Sequence, residues 1–251
     1  ASLWVLRKAR AGSNAREVAE PNLVQSIFRY CLPLYGARLS FLSGQNLGKL
    51  VLGTVLDATQ LGYFSFAFQT VERFVELVHT IPAAMLPAFT QIVAKDEKEK
   101  LRYVVDQAFR LVQLLACMLS FVLFVYAHEI VRIVGSPLFE PAIPLLRVIA
   151  LVPIARTAQQ PLTMLFQAAR RPGFVFTLAL VKLLAEVAGY FVLLQPFGAM
   201  GACAANLAGA AASFTGALIL ASTIVPEGTF ERLGAVVRNI LLLAPSLLLT
   251  L

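Results

Sequence analysis

The chain has 251 residues, 59% of them hydrophobic and only 14% charged, with a mean hydropathy of +0.77. Soluble domains carry about 25% charged residues, and a water-soluble fold this apolar would expose large apolar patches, so lipid must solvate much of the surface. The formal charge of +7 is concentrated in the connections between apolar stretches, which points to membrane topology and anionic headgroups rather than to nucleic acid.

In chain order, residues 1–25 contain Arg7, Lys8, Arg10 and Arg16 and read as a cytoplasmic linker carrying the end of a preceding helix. Residues 26–225 read as a six-helix transmembrane bundle, with spans at Ser26–Leu56, Gly62–Val93, Tyr103–Ala127, Pro141–Ala169, Gly173–Leu194 and Ala199–Val225. Residues 226–251 read as a cytoplasmic connection followed by the start of a truncated seventh helix, because the apolar run Ile240–Leu251 falls short of the roughly 20 residues a crossing needs. Both ends therefore look like cuts in a longer protein.

Every second connection is basic. Lys95, Lys98, Lys100 and Arg102 follow the second span, Arg170 and Arg171 the fourth, and Arg232 and Arg238 the sixth, whereas Leu56–Gly62 and Gln195–Gly201 carry no Lys or Arg. This positive-inside pattern assigns the basic side to the cytoplasm and predicts an all-α, polytopic membrane bundle. Pro33, Pro82, Pro87, Pro153 and Pro161 lie in or near the ends of these helices and are expected to kink them. Gly201, Ala205, Gly209, Ala212 and Gly216 recur at three or four residues in the sixth span and predict a close-packing face.

Several spans carry polar stripes at helical spacing. The second has Ser65, Gln69, Glu72, Glu76 and His79, with Arg73 able to reach Glu72 or Glu76. A charge facing lipid costs about 2.5–3.5 kcal/mol, so this stripe must face a water-filled cavity or another helix. A cavity is the favoured reading, and an internal Arg–Glu network that merely holds helices together is its competitor. The fourth span has Arg156, Gln160, Thr163 and Gln167. Arg156 lacks an acidic neighbour on its own helix and needs a partner elsewhere, either a substrate phosphate, water, or a carboxylate such as Glu72 or Glu186. The fifth has Lys182, Glu186 and Tyr190 at i, i+4 and i+8, which is either a self-neutralising pair or a proton or cation site. Arg38, Gln45, Asn46 and Lys49 make a looser polar face on the first span, and Asn206 is the strong hydrogen-bonding residue in the small-residue run of the sixth.

No enzyme constellation is visible. His79 and His128 are the only histidines, and no Gly-rich phosphate loop, HExxH or nucleophile elbow occurs. Cys31, Cys117 and Cys203 are far apart in apolar stretches and read as small core residues, not as metal ligands. The expectation is a non-enzymatic protein with no metal or organic cofactor.

Three segments carry a family resemblance: Leu61-Gly-Tyr-Phe-Ser-Phe-Ala67 with Ile81-Pro-Ala-Ala-Met-Leu-Pro87, Glu129-Ile-Val-Arg-Ile-Val-Gly135 followed by Ser136–Arg147, and Pro196–Asn206. They resemble the C-terminal half of polysaccharide (O-antigen or exopolysaccharide) flippases in the multidrug/oligosaccharidyl-lipid/polysaccharide exporter superfamily. The resemblance implies one lobe of a two-lobe transporter in the bacterial inner membrane. It would flip polyprenyl-pyrophosphate-linked oligosaccharide by alternating access, with the N-terminal lobe of the same protein as partner. On that reading Arg38, Lys49, Arg73 and Arg156 supply positive potential for the anionic head. Gln69, Glu72, Glu76, Gln160, Lys182 and Glu186 are the polar lining and the candidates for coupling to a proton or sodium gradient. A multidrug or cation antiporter of the same superfamily and a non-transporting structural membrane subunit are the alternatives.

Overall fold

In the computed structural model, residues 23–224 are described. The linker and the seventh apolar run therefore lie outside the described residues. Helices run over Leu23–Val55 (α1), Ala58–Ala94 (α2), Lys98–Val125 (α3) and Ala127–Val134 (α4). A 3₁₀ turn at Pro137–Ala142 leads into Ile143–Ile149 (α5), Val152–Ala158 (α6), Gln160–Ala168 (α7) and Pro172–Ala221 (α8). The protein is an all-α membrane helical protein.

By length and apolar composition α3 and α8 can each cross a membrane, and so can the pair Pro137–Ile149 and Val152–Ala168 if its 41° bend lies within one span. Helices α1 and α2 are longer than α3 but fall outside that set. Polar residues interrupt both, Arg38, Asn46 and Lys49 on α1 and Gln69, Glu72, Arg73 and Glu76 on α2, whereas Ala84–Ala94 at the end of α2 is apolar.

The breaks have local causes. Pro144, Pro153 and Pro161 each occupy the first turn of a short helix, where the missing N–H has no partner to lose. The fourth predicted span is thus a stack of short helices. Pro33, in contrast, sits inside the continuous α1. Helix α8 is two legs joined at Gly198, whose φ of 55° and ψ of −134° reverse the chain just after Pro196. The fifth and sixth predicted spans are these two legs.

The turn from α7 to α8 closes α7 with paired bonds, Arg170 N–H to the Gln167 carbonyl at 3.1 Å and Arg171 N–H to the Phe166 carbonyl at 2.9 Å. This Schellman arrangement puts Arg170 in the left-handed region, with φ of 55°. Glycine normally takes such a position, because a side chain there costs about 1–2 kcal/mol. Arg170→Gly relieves that strain but enlarges the unfolded ensemble, and the expected net effect is between neutral and about 1 kcal/mol of added stability. Reversible unfolding in detergent measures it, and a clear loss of stability would contradict the strain.

Helix α1 packs mainly along α8, and α2 packs against α7, α3 and α5. Glycines allow the α1–α8 approach: a Cβ at Gly36 would lie 2.9 Å from the Phe176 ring, and one at Gly48 would lie 2.9 Å from the Tyr190 hydroxyl. The predicted small-residue face also packs closely, since a Cβ at Gly189 would lie 2.7 Å from that of Ala205. Two buried apolar clusters result. One gathers Leu52, Phe64, Val71, Leu123, Leu146 and Leu194, and the other gathers Phe89, Phe109, Leu162, Phe166, Leu178 and Phe214. The cysteine expectation needs correction. Cys203 is buried, but Cys117 is half-buried and Cys31 is exposed on α1, so Cys31 is no core residue.

Candidate functional site

The charged residues that reach the interior fall between the two apolar clusters. On α8, Leu178 belongs to one cluster and Tyr190 to the other, with Lys182 and Glu186 between them. Lys182 and Glu186 stand roughly 15–20 Å along α8 at 1.5 Å per residue, which is mid-depth for a hydrocarbon core about 30 Å thick.

Four helices contribute. Lys182 Nζ donates to Glu186 Oε1 at 2.5 Å, and Asn206 Nδ2 donates to the same oxygen at 3.1 Å. Arg156 of α6 donates from Nη1 to Glu72 Oε1 of α2. Both pairs are largely shielded, with side-chain exposures of 14% and 15% for Arg156 and Glu72, and 19% and 4% for Lys182 and Glu186. The α1 ring of Phe41 lies under both cations, with its centroid 5.1 Å from the Arg156 guanidinium carbon and 5.6 Å from Lys182 Nζ. At these distances the ring face attracts the cations and joins the two ion pairs.

These groups line one cavity together with Gly44, Gly48, Lys49, Phe64, Phe68 and Tyr190. Its volume is about 20 Å³, room for about one water molecule. A sugar-pyrophosphate head cannot enter it in this conformation. Glycine keeps the wall close: a Cβ at Gly209 would run into the Glu186 side chain, and one at Gly44 would lie 3.3 Å from Glu186 Oε2.

The structure divides the residues singled out from the sequence. Lys49, Glu72, Arg156, Lys182 and Glu186 come together at the cavity. Arg73 and Glu76 do not. They pair with each other at 3.5 Å with side chains 78% and 64% exposed, so the α2 stripe splits at its centre. Gln69 is exposed, and Gln160 is half-buried but absent from the cavity wall. Arg38 is exposed, with its guanidinium 5.8 Å from the Phe41 centroid on the way to the site. The side chains of His79 and Gln45 lie outside the described residues.

Two residues that the sequence reading passed over matter here. Phe41 carries no signal in an apolar helix, because only its cation partners set it apart. Gln159, not Gln160, faces the bundle, and its Oε1 lies 2.9 Å from the buried Ser213 hydroxyl. A neighbouring glutamine at a proline-led helix start cannot be phased by periodicity alone.

Among the described residues no group of three His, Cys, Asp or Glu side chains is placed to hold a metal ion. Chemically, the site holds two cations and two carboxylates, paired with one another and largely shielded at one cavity.

No curated protein and no solved structure matches the chain. A family described as polysaccharide biosynthesis protein matches residues 15–144, about half of the chain, and takes in Phe41, Lys49 and Glu72 together with helices α1 to α4. The chain belongs to the polysaccharide biosynthesis protein family.

Proposed function

We propose that this protein is a multi-pass transporter of the bacterial inner membrane that flips lipid-linked oligosaccharide or polysaccharide precursors by alternating access. The observation that carries the reading is the buried cluster of Arg156, Lys182, Glu72 and Glu186 at mid-depth, supplied by different helices around a closed cavity. Charges in such a position cost free energy that packing alone does not demand, and they characteristically mark transport pathways.

In the proposed cycle the cavity opens and the pyrophosphate of a polyprenyl-linked glycan takes Arg156 and Lys182 from their carboxylates. Arginine's planar fork matches phosphate oxygens, and Lys49 at the rim adds positive potential. Glu72 and Glu186, released, bind a proton or sodium ion that couples the step to a gradient. The polyprenyl tail stays in lipid throughout. Arg38, Lys49, Gln69, Arg73 and Glu76 are exposed on this chain, and charge toward lipid costs about 2.5–3.5 kcal/mol, so these groups face water or a second lobe that completes the cavity. No catalytic step and no organic cofactor enters the cycle.

The mutual neutralisation of both ion pairs also favours a second reading, in which the cluster only locks helices together in a structural subunit. The double substitution Glu72→Gln/Arg156→Gln separates the two, because it keeps the volume and leaves no lone charge. Transport predicts at least a ten-fold loss of surface polysaccharide at normal protein level, with polyprenyl-linked oligosaccharide accumulating in the inner membrane. Unchanged export per folded molecule would leave the structural reading standing. Altered sensitivity to cationic drugs with unchanged glycolipid would move the assignment to a multidrug exporter.

A further inference from the structure

A second cavity lies at the basic end of the bundle and shares no lining residue with the charged cluster. Its volume is about 490 Å³, within the range of small-molecule sites. Ser26, Arg29, Tyr30 and Pro33 of α1 form one wall, and the α7–α8 turn, Arg170 to Phe174, forms the other. Among the described residues the lining holds three arginines and no carboxylate. Among the described residues none of the three is in an ion pair, although Arg171 stacks on the Phe174 ring at 5.5 Å. The Tyr30 hydroxyl donates to the Gln167 carbonyl at 3.2 Å and ties the two walls together.

Positive-inside topology accounts for basic residues at this level, but not for how these are held. Arg170 occupies a left-handed position that glycine would take without strain. The turn that places it also brings Arg171 to the start of the first leg of α8, whose free N–H groups favour an anion. On the face of α1 turned away from the cavity, Val24, Phe28, Leu32, Tyr35 and Leu39 form an apolar row, all exposed and at spacings of three or four residues. The recess for an anion thus sits at the basic end of a helix whose outer face is apolar, the level at which lipid headgroups lie.

We propose that this groove binds the phosphate headgroup of a membrane lipid on the basic side, with Arg29, Arg170 and Arg171 holding the phosphate oxygens. Bulk anionic phospholipid and a polyprenyl phosphate share this chemistry. The site is separate from the transport cluster, and binding here does not require that cluster to transport.

The test is native mass spectrometry of the purified full-length protein in neutral detergent. It is titrated separately with phosphatidylglycerol, with a polyprenyl phosphate, with phosphatidylcholine and with inorganic phosphate as competitor. Retention of either anionic lipid over phosphatidylcholine is expected, and the tighter of the two names the source. Arg170→Gly, which the backbone accommodates, should weaken retention about five-fold, the equivalent of the ~1 kcal/mol that one basic residue contributes near an anionic surface. Arg29→Gln/Arg170→Gly/Arg171→Gln should abolish the preference while Glu72→Gln/Arg156→Gln leaves it intact. Equal retention of phosphatidylcholine, unchanged retention by the triple variant, or full displacement by millimolar inorganic phosphate would overturn the proposal.

Discussion

Replacing Arg156 alone with methionine is expected to destabilise the protein by about 3 kcal/mol, the usual cost of leaving one partner of a buried ion pair without the other. Glu72 then stands without its partner in a site only 15% exposed, and Lys182 is already held by Glu186. Adding Glu72→Gln should recover most of the loss, because the uncompensated charge disappears with its partner. Arg73→Met offers the contrast. Its pair with Glu76 is largely exposed, and loss of an exposed pair falls within about 1 kcal/mol. Reversible unfolding in detergent of Arg156→Met, Glu72→Gln and the double variant, beside the parent, forms a cycle that isolates the coupling. An Arg156→Met loss under about 1 kcal/mol, or no recovery in the double variant, would show that the pair is not buried as described. The same cycle governs how transport assays are read. A single Arg156 substitution confounds folding with function, so the neutral double variant is the one to assay for export.

Gly201→Ala should be nearly as damaging, at about 3 kcal/mol, the upper part of the range for overpacking a site that cannot relax. A Cβ there would run into the Leu193 carbonyl, which is backbone and cannot swing aside. The chain doubles back at Gly198 just before it, so the two legs of α8 are closest where the small-residue run begins. Relieving the contact would require the reversal itself to open, which would carry Asn206 away from Glu186. Gly62→Ala is the control, since nothing lies within 4 Å of its Cβ position, and a helical Gly→Ala change is there neutral or stabilising by about 0.5–1 kcal/mol. If both variants unfolded alike, the close approach at Gly201 would be refuted.

Helix limits were legible because they depend on segments one at a time. Transfer of an apolar run into lipid, a proline in a first turn and a basic connection are each set by a few consecutive residues. The predicted Ser26–Leu56 accordingly meets a helix at Leu23–Val55, and the predicted Gly173–Leu194 and Ala199–Val225 meet the two legs on either side of Gly198. Lys182–Glu186 was legible for the same reason, being one helical turn apart.

The stripe on α2 shows where that reasoning stops. Glu72 and Glu76 are separated by about 40° around a helix of 3.6 residues per turn, yet one is shielded by α6 and the other is open. Periodicity gives the angle between two side chains but not the rotation of the helix against its neighbours. For α2 that rotation is fixed by its packing against α7, α3 and α5, the wall that Pro144, Pro153 and Pro161 divide into short helices.

By itself the amino-acid sequence determined the membrane class, the helical segments and the i,i+4 pair, because solvent transfer and backbone geometry act within a segment. Only the tertiary structure decided that Arg156 pairs with Glu72, 84 residues away, that Phe41 lies under both cations, and that Arg73 and Glu76 stay outside. Those choices depend on how closely whole helices approach, and several Arg–Glu pairings are nearly equal in energy until packing removes all but one.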